Sequence, residues 1–190
     1  GIPQLNCDER AEVIKVKEKC PSAGERQKVT VSMISDISAR GGATDATVRG
    51  AIIEVRDGSG LIMRCPDCRR ALQKGMCKVH GRMDGVPDLR IKAIVDDGSG
   101  AVSAVVGREL TEGLMGCTLD ECMERAKKSM NLDVVKDSFE EKLLLKVVTL
   151  TGNVTADEYG LSMIVNGAGT GLEDVRAEVE RLLVELEESR

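Results

Sequence analysis

Aromatic residues are nearly missing from this 190-residue chain, which holds one Phe, one Tyr and no Trp. The core therefore has to be assembled from Val, Ile, Leu, Met and Ala. A ligand site that works mainly by ring stacking starts short of parts. His80 is the only histidine, which excludes any mechanism that needs two. No apolar run approaches the roughly 20 residues of a membrane helix. With 4 Pro and 20 Gly in a chain that is 42% hydrophobic and 31% charged, the composition is neither disordered nor collagen-like. The length suits one ordinary domain with appendages, or two small ones. The chain opens Gly1-Ile2-Pro3 with no signal-peptide pattern, and reads as a segment of a longer protein or a processed product.

The net charge of −5 argues on average against a nucleic-acid partner, but the charge is unevenly spread. From Arg64 to Lys92 there are eight basic residues (Arg64, Arg69, Arg70, Lys74, Lys78, Arg82, Arg90, Lys92) against Asp67, Asp84 and Asp88. One stretch is thus cationic on an otherwise acidic body. Seven cysteines, at positions 7, 20, 65, 68, 77, 117 and 122, are an odd count in a chain with no mark of secretion, so a disulfide framework is not expected.

Within the cationic stretch, Cys65-Pro66-Asp67-Cys68 and Cys77-Lys78-Val79-His80 form a C-x2-C…C-x2-H set. Two residues between ligands let a tight knuckle aim both at one ion, and two knuckles complete a tetrahedral shell. Soft thiolates with one imidazole favour Zn2+ over magnesium or calcium. Four protein ligands leave no position for a reactive water, so one structural zinc on Cys65, Cys68, Cys77 and His80 is expected. A redox C-x-x-C lacks its βαβ setting, and a zinc deaminase would need a His-x-Glu that is not here. Cys117 and Cys122 read as core thiols, while Cys7 and Cys20 have no assigned role.

Residues 1–30 carry few signals and read as a tail or a linker from a preceding domain. Residues 29–34 (VTVSMI) suggest a short strand, followed by a turn at Gly41-Gly42. Two β-branched runs, 47–56 and 89–96, each end in Asp-Gly-Ser-Gly, at 57–60 and 97–100, which is hairpin chemistry. Gly50 within the first run suggests a bulge or sharp bend. Further strands are expected at 101–107, 143–155 and 161–166, the last two joined by a turn at 157–160. Between the third and fourth main strands, Thr118-Leu119-Asp120-Glu121 is a capping box, and Leu119, Met123, Ala126 and Met130 follow at helical spacing. Five strands with a helix in that place is the order of an OB-fold barrel, here spanning 31–170 with residues 61–88 inserted after the first strand. The segment 171–190 repeats the capping signal. Its Leu172, Val175, Val179, Leu182 and Leu186 alternate by three and four, as a coiled-coil seam does. That face either packs across its own barrel or joins partner chains.

A mostly-β OB barrel with a zinc ribbon after its first strand and a seam-forming last helix resembles the C-terminal DNA-binding domain of the replication protein A large subunit. The likeness is to archaeal versions and covers about residues 30–190. It rests on TVRGAIIEVRD (47–57), the four ligands, GRMDGVPDLRIKAIVDDGSG (81–100) and ADEYG (156–160). The resemblance implies single-stranded DNA binding in replication, repair and recombination, an intracellular setting, and a heterotrimer core in which residues 171–190 bundle with two smaller OB-fold subunits. Strand 101–107 has none of the aromatics on which such barrels stack bases. Contacts should then fall to Arg56, Arg64, Arg69, Arg70, Lys74, Arg82 and Lys92 on phosphates, with arginines also stacking on bases.

Three classes of function separate. A single-strand-binding subunit fragment leads. An assembly module with little DNA contact of its own, or a zinc-ribbon RNA-binding factor, are the alternatives. An enzyme is not expected: the ligand set is closed, no second His can act as base, and no P-loop pattern is present.

Overall fold

The computed structural model describes residues 31–170 together with Leu183, Val184 and Glu187. The tail at 1–30, Cys7 and Cys20, and the seam residues Leu172, Val175, Val179, Leu182 and Leu186 lie outside the described residues. Five strands close on themselves: β1 (Gly42–Val55), β5 (Val86–Asp96), β6 (Ala101–Val106), β7 (Val147–Asp157) and β8 (Gly160–Thr170). The sheet runs β1-β7-β8-β6-β5, and β5 pairs back onto β1. All of these pairings are antiparallel except β6 with β8. One parallel contact in a closed five-stranded Greek-key ring is the OB-fold. Leu89, Ile91, Ala93 and Val95 of β5 point inward with Val102, Ala104 and Val106 of β6, all buried. The period-two alternation of these strands dictates that arrangement.

β1 belongs to two halves of the barrel. Through Ala51 it pairs with β7, and from Ala51 onward with β5. Gly50 stands where the halves meet: a Cβ there would lie 2.4 Å from the Asp96 carbonyl oxygen. The glycine serves a close approach of backbones, and the register shifts instead beyond it, between Ile52 and Glu54.

The Asp57–Gly60 stretch does not turn the chain back, which corrects the hairpin reading. β2 (Gly60–Arg64) continues in the direction of β1, and both run antiparallel to β5. Residues 57–59 are an expanded bulge in one long strand. The bulge is tied down at several points. The Ser59 hydroxyl accepts the Lys92 N–H at 2.9 Å and donates to the Lys92 carbonyl at 3.0 Å, and Lys136 pairs with Asp57 at 2.5 Å. Gly60 has φ +84, and a Cβ there would meet the Lys136 backbone nitrogen at 2.9 Å. Chain reversal happens only further out, in the inserted segment. That segment is therefore the tip of an elongated β1/β2–β5 hairpin, with its own small pairing of β3 (Met76–Cys77) and β4 (Gly81–Arg82).

The 97–100 sequence does make the β5–β6 turn. The Asp97 carboxylate accepts from the Ser99 hydroxyl, Ser99 N–H and Gly100 N–H, and its other oxygen accepts the Ile34 N–H at 2.8 Å. It thereby caps α1 (Ile34–Ala39). The strand expected at 29–34 is reduced, among its described residues, to one parallel bridge between Val31 and Thr47 before this helix begins.

Three helices, rather than one, connect β6 to β7: α2 (Arg108–Met115), α3 (Leu119–Ser129) and α4 (Asp133–Leu143). The Thr118–Glu121 capping box is present at the start of α3. Ala126 is buried, but Met130 takes a left-handed conformation as the C-cap and is 93% exposed. α4 buries Val135, Phe139 and Leu143, so the last strand pair starts at 147 and not 143. Cys117 and Cys122 are buried core thiols, as expected, with sulfurs 3.4 Å apart. No helix among the described residues is long and apolar enough to cross a membrane.

Candidate metal centre and nucleic-acid face

The four ligand candidates converge at the tip of the β1/β2–β5 hairpin. Cys65 directly follows β2. The chain then folds back so that the Arg69 N–H donates to the Cys65 carbonyl at 3.0 Å and the Cys65 N–H to the Arg70 carbonyl at 2.8 Å. Arg69 takes φ 59 to close this first knuckle. Cys77 lies in β3, and His80 sits in the turn before β4. The Leu72 N–H donates to the Met63 carbonyl at 2.7 Å, which holds the first knuckle to the hairpin stem.

The donor atoms all lie within 4.8 Å of one another. The Sγ of Cys65 and of Cys77 are 3.4 and 3.8 Å from Nδ1 of His80, and the Cys68 and Cys77 sulfurs are 3.5 Å apart. Donors bonded tetrahedrally to one ion at zinc-like lengths stand about 3.5–3.8 Å apart, so the set fits a single metal ion. Cys65 and Cys77 are buried, while His80 faces solvent. The backbone prepares the sulfurs for ligation. The amides of Val79 and then His80 bring the Cys77 thiol down to about 6. Burial pushes Cys65 up, but the Cys68 and Asp67 amides outweigh it and lower its pKa. Cys68 also has an amide, that of Arg70, favouring its thiolate, but burial and the adjoining Cys77 and Cys65 sulfurs leave its pKa raised. His80 is raised by its contacts with Cys65 and then Cys77. A divalent cation bound here would displace the protons these groups carry.

The expected nucleic-acid residues divide into two groups. Arg69, Arg70, Lys74 and Arg82 are exposed on the inserted segment. Arg56, Arg64 and Lys92 stand on the outer face of the β1/β2–β5 hairpin. Since Leu89, Ile91, Ala93 and Val95 face inward, the alternate residues Asp88, Arg90 and Lys92 face out. The Arg56 N–H donates to the Lys92 carbonyl, continuing the ladder, and beyond the bulge Gly60 pairs with Arg90, Ile62 with Asp88, and Arg64 with Val86. Arg56, Lys92, Arg90 and Arg64 thus form one row leading to the metal centre. Glu54 and Asp88 accompany it, paired to Arg56 at 3.5 Å and to Arg64 respectively. Arg90 was not among the expected contacts. Its i, i+2 relation to Lys92 on a strand was the signal that could have found it.

No family model and no curated protein matches the chain. Among solved structures, it is similar to a replication protein A heterotrimer bound to single-stranded DNA, with a TM-score of 0.50 at 14% identity over 74% of this chain and 34% of that one. The chain therefore spans about a third of that protein's length. It is similar also to yeast replication protein A bound to single-stranded DNA, with a TM-score of 0.50 at 14% identity, covering 78% of this chain and 88% of that one. At this identity the likeness concerns the fold.

Proposed function

We propose that this chain is a non-catalytic, single-stranded DNA-binding piece of a replication protein A-like complex, with one structural zinc on Cys65, Cys68, Cys77 and His80. The observation that carries the reading is the in-register row Arg56, Lys92, Arg90 and Arg64 on the outer face of a closed OB barrel. Such barrels use this face for oligonucleotides. Zinc supplies a fixed charge and a crosslink that hold the tip of the hairpin in shape. The protein's own part is to aim cations: Ser59 and Lys136 lock the bulge, and the knuckle amides favour the Cys65 and Cys77 thiolates. The chemistry required is charge placement and strand protection, with no bond made or broken.

A heterotrimer core, in which residues 171–190 join two smaller OB-fold subunits, is part of this proposal. A second reading, as an assembly module, is supported by the three-and-four alternation of Leu172, Val175, Val179, Leu182 and Leu186 and by the scarcity of aromatics. The two roles are compatible in one chain.

Binding of an oligo-dT of about 30 nucleotides, by the chain and by its assembled complex, tests the first reading, with affinity falling linearly in log salt. Absence of binding by the assembled complex removes it. For the second, Val179→Asp with Leu182→Asp should abolish co-elution with partner chains, and unchanged elution counts against it.

A further inference from the structure

Barrels that hold single strands by stacking need flat, weakly hydrated groups on the outer sheet face. Of the three aromatic rings in this chain, Phe139 is buried in α4, His80 is a metal-ligand candidate, and Tyr159, 90% exposed, is at the β7–β8 turn and not on the β1/β2–β5 row. The face does carry two planar guanidiniums that are anchored before any ligand arrives. Arg64 donates through Nε to the Asp88 carboxylate and through Nη1 to the Arg69 carbonyl at 3.0 Å. Arg90 donates through Nε to the Gly58 carbonyl at 2.6 Å. The Arg64 and Asp88 side chains are only 26% and 17% exposed. The bulge brings Gly58, at φ +81, against Arg90, whose Nη2 lies 2.7 Å from where a Cβ would stand. The residue paired with Arg90 on β2 is Gly60, so no side chain stands directly opposite Arg90 on that strand.

Arg64 takes the Asp88 carboxylate while Arg90 is bonded to the Gly58 carbonyl, so the two guanidiniums outnumber the one carboxylate paired with them in a half-buried setting. Burial, and then the charge of Arg64, press on Arg90, with Asp88 only partly offsetting them. A guanidinium stays charged regardless, so a π face or an anion laid over the pair would be held by it. Arginine is suited to the first because its plane is weakly hydrated and stacks.

We infer that Arg90 and Arg64, held by Gly58 and Asp88, form the base-stacking platform of this face, on which nucleobases of a single strand lie while Arg56 and Lys92 meet phosphates. The inference rests on the single-strand reading above and assigns the part that rings play in other stacking barrels to these two side chains.

The test compares oligo-dT with an abasic deoxyribose-phosphate oligomer of equal length on the zinc-loaded chain. The wild type should prefer oligo-dT by about tenfold, given the worth of one stacked base. Arg90→Lys keeps the charge and removes the plane, so it should lose most of that preference while binding the abasic oligomer as before. Arg64→Lys should behave alike, and it keeps the test open should Arg90→Lys disturb the bulge, which thermal midpoint and zinc content would reveal. Lys92→Gln should weaken both oligomers by the same factor. The inference is overturned if both lysine variants retain the wild-type preference, or if they weaken both oligomers equally. Failure of the wild type to bind either oligomer even in its assembled complex would instead remove the single-strand reading itself.

Discussion

The Ser59 hydroxyl takes both backbone groups of Lys92, accepting the N–H at 2.9 Å and donating to the C=O at 3.0 Å. It does so in the middle of the bulge, where the ladder between the two long strands would otherwise be broken. A buried side chain thus replaces a missing residue pair, and the cationic row stays in register across the gap.

Ser59→Ala removes both bonds at a buried position and leaves the Lys92 N–H without its partner. The cost should be about 1–3 kcal/mol, read as a lower urea midpoint. Because the bulge sets the position of the hairpin tip, affinity for single strands should fall while metal content stays unchanged. An unaltered midpoint would show that Ser59 is dispensable.

Removing the metal should act locally. Cys77→Ser, or treatment with a strong chelator, breaks a shell formed only by residues of the inserted segment. The barrel core around Val48, Ile91, Val95, Val102 and Val148 lies outside that segment. Elemental analysis should therefore fall from one zinc per chain toward none, while hydrogen exchange accelerates at 65–85 and stays slow in β5 and β6. Global unfolding of the barrel on chelation would contradict the local role.

Asp97 should give acid sensitivity at the α1 end. Burial pushes its pKa up, but the Ile34 amide, the Ser99 hydroxyl and amide and the Gly100 amide outweigh it and hold the carboxyl below its ordinary 3.8. The unfolded chain then binds the proton first as pH falls, so this stabilisation is full above the ordinary value and is lost as pH drops through the lower folded one. The stability gap between wild type and Asp97→Asn should be largest near neutrality and close below about pH 4. A gap independent of pH would contradict the assignment.

Much of this arrangement was readable from particular residues. The β-branched run 89–96 with its Asp-Gly-Ser-Gly end identified β5 and the turn into the strand expected at 101–107, and the matched C-x2 spacings found all four ligand candidates. Thr118 and Glu121 announced α3 because capping is local chemistry. The bulge was misread because Asp-Gly-Ser-Gly supports a reversal or an excursion equally well. Only the pairing of Gly60 with Arg90, more than 25 residues away in sequence, decides between them. α2 was missed because it is eight residues long and contains Gly113, so tertiary packing must hold it. Phe139 and Leu143 do fall at helical spacing with Val135, but the apolar run that begins at Leu143 drew the strand too early.

The most direct test maps backbone amide shifts of the zinc-loaded chain as the same oligo-dT is added. Changes should concentrate at Arg56, Gly58–Gly60, Arg64, Arg90 and Lys92, with α3 and α4 nearly silent. Changes centred on the helices, with the β5 row unmoved, would contradict the account.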